Sequence, residues 1–384
     1  AFLDSAASAQ KPRAVLDRMD AFARYEYANV HRGVYDLSEH ATVAYEASRE
    51  RAAAFLRAGA DRTVIFTRGT TESVNLVAYA WGEVHVKAGD TILLTEMEHH
   101  SNMLPWRALA ERKGARVEYV PVTANGAALD LAAAEAMLAK KPRLFAFAHA
   151  SNVLGFLTPA ARLCAAARQH GVTTFLDAAQ SVGHGPVDIE AIGCDFLACS
   201  AHKACGPTGV GLLVGRTETL AALPPWQHGG SMVERVRFDE IVFRPPPARF
   251  EAGTPPIVEA VGMGAAFEFL EKHGLEAIEA HSVALAQRAA DGLRRIPGIR
   301  VVGPEKRGTG IVSFVSESVH AHDMAYFTNG RGVALRAGHH CAMPLLHRLG
   351  VAATTRASFY LYNDEEDVLR LLDAVAAAVK FFQA

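Results

Sequence analysis

Ser200-Ala201-His202-Lys203-Ala204-Cys205-Gly206-Pro207-Thr208-Gly209 stands between two short apolar runs, Phe196-Leu197-Ala198-Cys199 and Val210-Gly211-Leu212-Leu213-Val214. Apolar runs of that length, bounded by turn residues, read as buried strands. Lys203 therefore sits at a strand end, in a turn between two buried segments. A lysine is costly to bury unless it is paired or chemically converted. One such conversion is an imine with an aldehyde. A plain surface-turn lysine is the competing reading, and residues elsewhere in the chain must decide.

Upstream, three more apolar runs end in polar residues. Thr91–Leu94 leads to Glu98-His99-His100, Leu144–Phe147 to His149-Ala150-Ser151-Asn152, and Thr173–Leu176 to Asp177-Ala178-Ala179-Gln180. Stretches of helical spacing separate them, as at 160–170. Strand-helix alternation predicts an α/β domain with a mainly parallel sheet. Such sheets bind ligands beyond the carboxyl ends of their strands, where His99, Asn152, Asp177 and Lys203 all fall. Val64-Ile65-Phe66 runs into Arg68-Gly69-Thr70-Thr71-Glu72 and then helical spacing to Trp81. That turn reads either as a phosphate site at a helix N-terminus or as an ordinary threonine cap. Asn29-Val30-His31-Arg32-Gly33 reads as a solvated loop or as a site contribution.

After Trp226 the text changes to an excursion with alternating character, a hairpin, ending near Pro256. The domain boundary is expected near 268, giving a large domain over 1–268 and a smaller α+β domain over 269–384. The second holds Arg336-Ala337-Gly338-His339-His340-Cys341-Ala342-Met343-Pro344 and, later, Arg356-Ala357-Ser358. Cys341 lies in a polar, glycine-containing loop, so an accessible thiol is expected, with imidazole or Arg336 favouring the thiolate. A buried, inert cysteine is the alternative. Three adjacent residues cannot all face one ion, so no metal site is expected at His339-His340-Cys341.

The chain has 384 residues, half of them hydrophobic, with a net charge of −2. No field favours nucleic acid or a membrane surface. The apolar runs fall far short of a membrane span. The five cysteines form no C-x-x-C pair, and a chain this long needs no disulfide framework, so a reducing cytoplasm is expected. The sequence opens at Ala1 without a Met, and a further upstream stretch is expected.

A lysine imine with an aspartate for the pyridine nitrogen is the protein side of pyridoxal phosphate chemistry. Asp177 and Lys203 supply that pair. Gln180 can reach the ring oxygen and His99 can stack on the ring. Thr70, Thr71, Ser200 and His202 can hold the phosphate.

These motifs, with Asp4-Ser5-Ala6-Ala7-Ser8, Val30-His31-Arg32-Gly33 and the segment from Arg249 to Pro255, resemble the cysteine desulfurases of the class-V aminotransferase family. The Arg336–Pro344 stretch is the specific one and resembles the SufS-type, group II branch. The resemblance spans essentially the whole chain. It implies fold type I, with a mainly parallel seven-stranded sheet in the large domain, and pyridoxal 5'-phosphate linked to Lys203. It implies phosphate contacts from Thr71, Ser200 and His202, with Thr254 reaching in from a second subunit of a homodimer. Arg356 would hold the substrate carboxylate, with Asn152, His31 and Arg336 beside it, and His99 would act in acid–base work. Cys341 would take sulfur from L-cysteine, leaving alanine, and pass it to a SufE-like or SufU-like acceptor for iron–sulfur cluster assembly. Ala204 and Cys205 depart from the family pattern. Selenocysteine lyase activity and a non-catalytic assembly role are the competing functions.

Overall fold

The computed structural model describes residues 1–383 except Asn125. Seven strands build the central sheet: β1 Arg62–Thr67, β2 Thr91–Thr95, β3 Arg116–Val120, β4 Leu144–Ala148, β5 Thr173–Asp177, β6 Phe196–Ser200 and β7 Gly211–Arg216. Their order is β1-β7-β6-β5-β4-β2-β3. All neighbours are parallel except β7, which runs antiparallel to both β1 and β6. Successive side chains of a strand point to opposite faces, and both faces are apolar here. Phe145 and Phe147 pack on one side, Leu144 and Ala146 on the other. Buried on both faces, the strands appear as continuous apolar runs.

The hairpin read from alternation is present as β8 Val233–Val236 and β9 Ile241–Phe243. A second sheet, entirely antiparallel, is formed by β10 Ile299–Val302, β11 Ile311–Ser316, β12 Arg336–Gly338 and β13 Thr354–Ser358, in the order β10-β11-β13-β12. The helices Leu275–Arg294 and Glu365–Gln383 cover it.

Two boundaries differ from the sequence reading. The helix Ile257–His273 runs unbroken through positions 268 and 269 and ends at Gly274, whose φ is +81. Phe267 in that helix stacks on Phe55 at 4.2 Å, so the helix stays with the large domain. We place the division at Gly274. The first residues belong to the small domain: Leu3 is fully buried in its core. Leu3 also donates to the Ala334 carbonyl and accepts from the Ser358 amide. This return of the N-terminus brings Asp4 to the mouth of the site.

Candidate active site

The carboxyl ends of β2, β4, β5 and β6 open on a cleft that β12 and β13 close from the small domain. Its volume is about 250 Å³. Thr70, Thr71, His99, Asn152, Asp177, Gln180, Ser200, His202, Lys203, Arg336, Cys341 and Arg356 line it together. A second cavity of about 90 Å³ lies behind Gln180, beside His149, His184 and Glu279, and contains none of Lys203, Asp177 or Cys341.

One end of the cleft is built to hold an anion. The helix Thr70–His85 begins at Gly69, whose φ of +146 only glycine adopts readily. Both the amide and the hydroxyl of Thr70 lie 2.9 Å from Ser200 Oγ. Thr71 Oγ1 meets Ser101 Oγ at 2.7 Å. Amides and hydroxyls gathered at a helix N-terminus form a phosphate site. His202 closes this end, its Nδ1 3.3 Å from Ser8 Oγ. Burial lowers its pKa to about 4, so it arrives as a neutral hydrogen-bonding ring.

The floor carries Asp177 and Lys203. Asp177 is buried and accepts at 2.9 Å from the Ala179 amide. Lys203 keeps part of its surface open to the cleft, yet protein surrounds its ammonium. Burial lowers its pKa to about 8 and raises that of Asp177, while each charge opposes the other's shift. His99 accepts from the Ser101 amide at Nδ1, which leaves Nε2 to carry the proton of the neutral ring. Its pKa falls to about 4 through burial and then the charge of Lys203. Gln180 donates from Nε2 to the Ala6 carbonyl at 2.9 Å, leaving a second amide hydrogen for the cleft.

The small domain brings two arginines. The β12–β13 register sets Arg336 directly opposite Arg356. Like charges in that relation repel, and Asp4 answers both: Oδ1 is 3.2 Å from Arg356 and Oδ2 is 3.4 Å from Arg336. Arg356 is buried, donates at 3.0 Å to the Asn152 carbonyl, and has an Nε without a partner. Two cations sharing one carboxylate retain positive charge for a further anion.

Cys341 is exposed, whereas Cys164, Cys194, Cys199 and Cys205 are buried. It sits in a turn where His340 and Cys341 both adopt left-handed backbone, φ +51 and +54. Such angles are strained for these residues and persist only where surroundings impose them. Here the Cys341 carbonyl accepts from the His100 amide at 2.7 Å. The His340 carbonyl accepts from Asn152 Nδ2 at 2.7 Å, and the Cys341 amide donates to His339 Nδ1 at 3.0 Å.

Two residues singled out in the sequence lie elsewhere. His31, expected to line the pocket, bonds Glu46 through Nε2 at 2.8 Å and meets Tyr45 edge-on, outside this chain's cleft. Its left-handed φ of +69 turns it toward the helix Asp36–Phe55. Thr254 is exposed beside Arg68 and Glu72 in a separate hollow. Sequence reasoning assigned no role to Asp4. Asp4 stands in the Asp4–Ser8 motif, but nothing local shows what it does, since its partners Arg336 and Arg356 lie at the other end of the chain.

The sequence profile of the family described as aminotransferase class-V matches residues 1–371. The chain belongs to the class-V aminotransferase family. A cysteine desulfurase of Klebsiella pneumoniae is 46% identical over 373 residues, covering 97% of this chain and 91% of that one. The apo structure of a cysteine desulfurase from Thermococcus onnurineus NA1 has a TM-score of 0.95 at 39% identity, covering 99% of this chain and 94% of that one. The cysteine desulfurase CsdA of Escherichia coli, solved as an S-sulfonic acid, has a TM-score of 0.93 at 38% identity, covering 99% and 95%.

Class-V aminotransferase enzymes use pyridoxal 5'-phosphate, and the cleft fits it. An aldehyde needs an amine, a phosphate needs a nest of donors, and a pyridine nitrogen needs a carboxylate. Lys203, the Gly69–Thr71 turn with Ser200 and His202, and Asp177 offer these groups in one cleft. Only the neutral amine attacks an aldehyde. Covalent capture of the cofactor by apoprotein is therefore expected to speed up with pH and level off above about 8, following Lys203. An unperturbed lysine, with a pKa of ~10.4, would still be accelerating there. Growth of the cofactor's near-visible absorbance at a series of pH values measures this.

Proposed function

We propose that this chain converts L-cysteine to L-alanine and retains the sulfur as a persulfide on Cys341. It then hands that sulfur to an acceptor protein for iron–sulfur cluster assembly, as in the SUF branch. The observation that carries this reading is the exposed Cys341, held on a strained turn over a cleft that contains both Lys203 and the Arg336–Arg356 pair. An amino-acid substrate needs its carboxylate held, and the arginine pair offers that charge. The bound cofactor supplies an electron sink that weakens bonds next to the substrate's amino-bearing carbon.

Lys203 would anchor the group covalently, and its pKa of about 8 suits it to carry the substrate α-proton near neutral pH. Neutral His99 lines the cleft and would offer its Nε2 proton beside the bound group. The Cys341 thiolate forms a bond to the substrate sulfur. The carbon–sulfur bond breaks, its electron pair stays with the carbon, and protonation of that carbon completes alanine. An acceptor thiolate can then approach the exposed persulfide; a SufE-like or SufU-like protein is the class of partner.

A homodimer accords with the apolar side chains left exposed around the N-terminal helices, among them Tyr25, Val34, Tyr35 and Val43. Thr254, exposed outside its own cleft, is available to a second copy.

The test is to incubate cofactor-loaded protein with L-cysteine and quantify alanine and protein-bound sulfur. Alanine with an equal amount of bound sulfur is expected; no alanine would overturn the reading. Arg356→Lys is expected to lower kcat/KM for L-cysteine ~100- to 1000-fold, mainly through KM, because one ammonium cannot replace a guanidinium that spans two partners. Steady-state kinetics at equal cofactor occupancy measure it.

A further inference from the structure

Residues 151–157 form a tongue that leaves the end of β4 and folds back on itself. The Ser151 amide donates to the Phe156 carbonyl at 2.9 Å, and Ala150 bridges Leu157. The tip is gripped by the small domain through four successive carbonyls. Asn152 accepts from Arg356 at 3.0 Å, Val153 from Ser313 Oγ at 2.7 Å, and Leu154 from Arg307 at 3.1 Å. Gly155 accepts from the Gly308 amide at 3.0 Å. Backbone meets backbone along this seam. A Cβ on Gly303 would lie 2.1 Å from the Leu154 carbonyl oxygen, and one on Gly155 would lie 2.4 Å from that of Ile311.

Arg307 is the unusual member. It is 2% exposed and, among the described residues, contacts no carboxylate. Its guanidinium donates to the carbonyls of Leu154, Val302 and Pro304, while Nε has no partner. Burying a cation on carbonyls alone is costly. In return, this one ties the tongue to the loop that follows β10. The tongue also touches the chemistry. Asn152 Nδ2 donates to the His340 carbonyl beside Cys341, and the Asn152 carbonyl orients Arg356. One rigid segment thus fixes the sulfur-accepting turn and the carboxylate-binding arginine relative to each other.

We propose that Arg307 is a positioning residue for sulfur transfer. Through the tongue, it sets where Cys341 stands relative to a substrate held by Arg356. The proposal rests on the desulfurase reading. Misplacing a reacting group by about 1 Å can cost ~100-fold in rate, so a loosened seam should slow sulfur transfer more than substrate binding.

The experiment compares the parent protein with Arg307→Met, which keeps the side-chain bulk and removes every donor, and with Arg307→Lys. At equal cofactor occupancy, single-turnover persulfide formation is expected to slow by ~10- to 100-fold in the Met variant. KM should change little, and the Lys variant should recover part of the rate. Hydrogen exchange of the apoproteins adds a readout that needs no cofactor. The His100 amide, bonded to the Cys341 carbonyl, should exchange faster in Arg307→Met. A merely structural role would lower stability and speed exchange only around 302–310, leaving His100 and the single-turnover rate unchanged; that result overturns the proposal. If Arg307→Met does not fold, Ser313→Ala removes the neighbouring donor and should slow the same step to a smaller degree. If the parent makes no persulfide, the desulfurase reading fails and the sulfur-transfer role with it, while His100 exchange still decides whether Arg307 holds the Cys341 turn.

Discussion

Cys341→Ser is expected to eliminate persulfide formation from L-cysteine while leaving the cofactor's absorbance and the fold intact. The serine hydroxyl matches the thiol in size, and the position is exposed, so packing is barely disturbed. The hydrogen bonds that hold the turn involve the amide and carbonyl of residue 341 rather than its side chain. Reactivity is lost for a different reason. The thiolate is the nucleophile, and a hydroxyl does not ionise near neutral pH. Sulfur transfer should fall at least ~1000-fold, a barrier increase of ~4 kcal/mol. Parallel assays of bound sulfur and near-visible absorbance measure both halves of the expectation.

Lys203→Ala is expected to remove the reaction earlier, at cofactor capture. Without the amine no covalent link forms, and the cofactor should dissociate on dialysis although the Thr70–Ser200 end still offers phosphate contacts. Turnover should fall at least ~1000-fold, since anchoring and proton transfer go together. The apoprotein should lose little stability. Burial lowers the Lys203 pKa and so opposes its charge, and residues held in an active site commonly oppose folding rather than support it. Its removal also takes away the charge that restrains Asp177, so the Asp177 pKa should rise further. Thermal melts of the two apoproteins, with dialysis and absorbance of the loaded forms, check each part.

Much of this architecture was legible because the strands are buried on both faces. Unbroken apolar runs ending in His99, Asn152, Asp177 and Lys203 betrayed both the sheet and its active edge. The edge strand β3 was not legible: Arg116-Val117-Glu118-Tyr119-Val120 is half-exposed, and only Val120 is fully buried. The helix Asp36–Phe55 begins well before its apolar spacing becomes regular, because Asp36 and Glu39 occupy its first turn. The antiparallel run of β7 had no local mark either, since direction is decided by how a turn closes.

The site divided along the same line. Residues at strand ends could be placed from local pattern, because a strand end in an α/β sheet has one predictable location. Cys341 was legible locally as an accessible thiol, but the substrate roles of Arg356 and Arg336 came through family resemblance, since nothing local ties the second sheet to the first. The carboxylate that bridges the two arginines, Asp4, and the tongue gripped by Arg307 depend on pairings between residues 153 to 352 positions apart. Such contacts leave no spacing to read. His31, an imidazole beside a guanidinium in a loop, pairs with Glu46 within this chain.

The central claim is that Cys341 takes sulfur from a substrate held over Lys203. Its most direct test is mass analysis of the Cys341 peptide, unreduced, after cofactor-loaded protein meets L-cysteine without an acceptor. One additional sulfur atom on Cys341 and an equal amount of alanine are expected. Alanine formed while Cys341 stays unmodified, with sulfur released as free sulfide or found on Cys205, would contradict it.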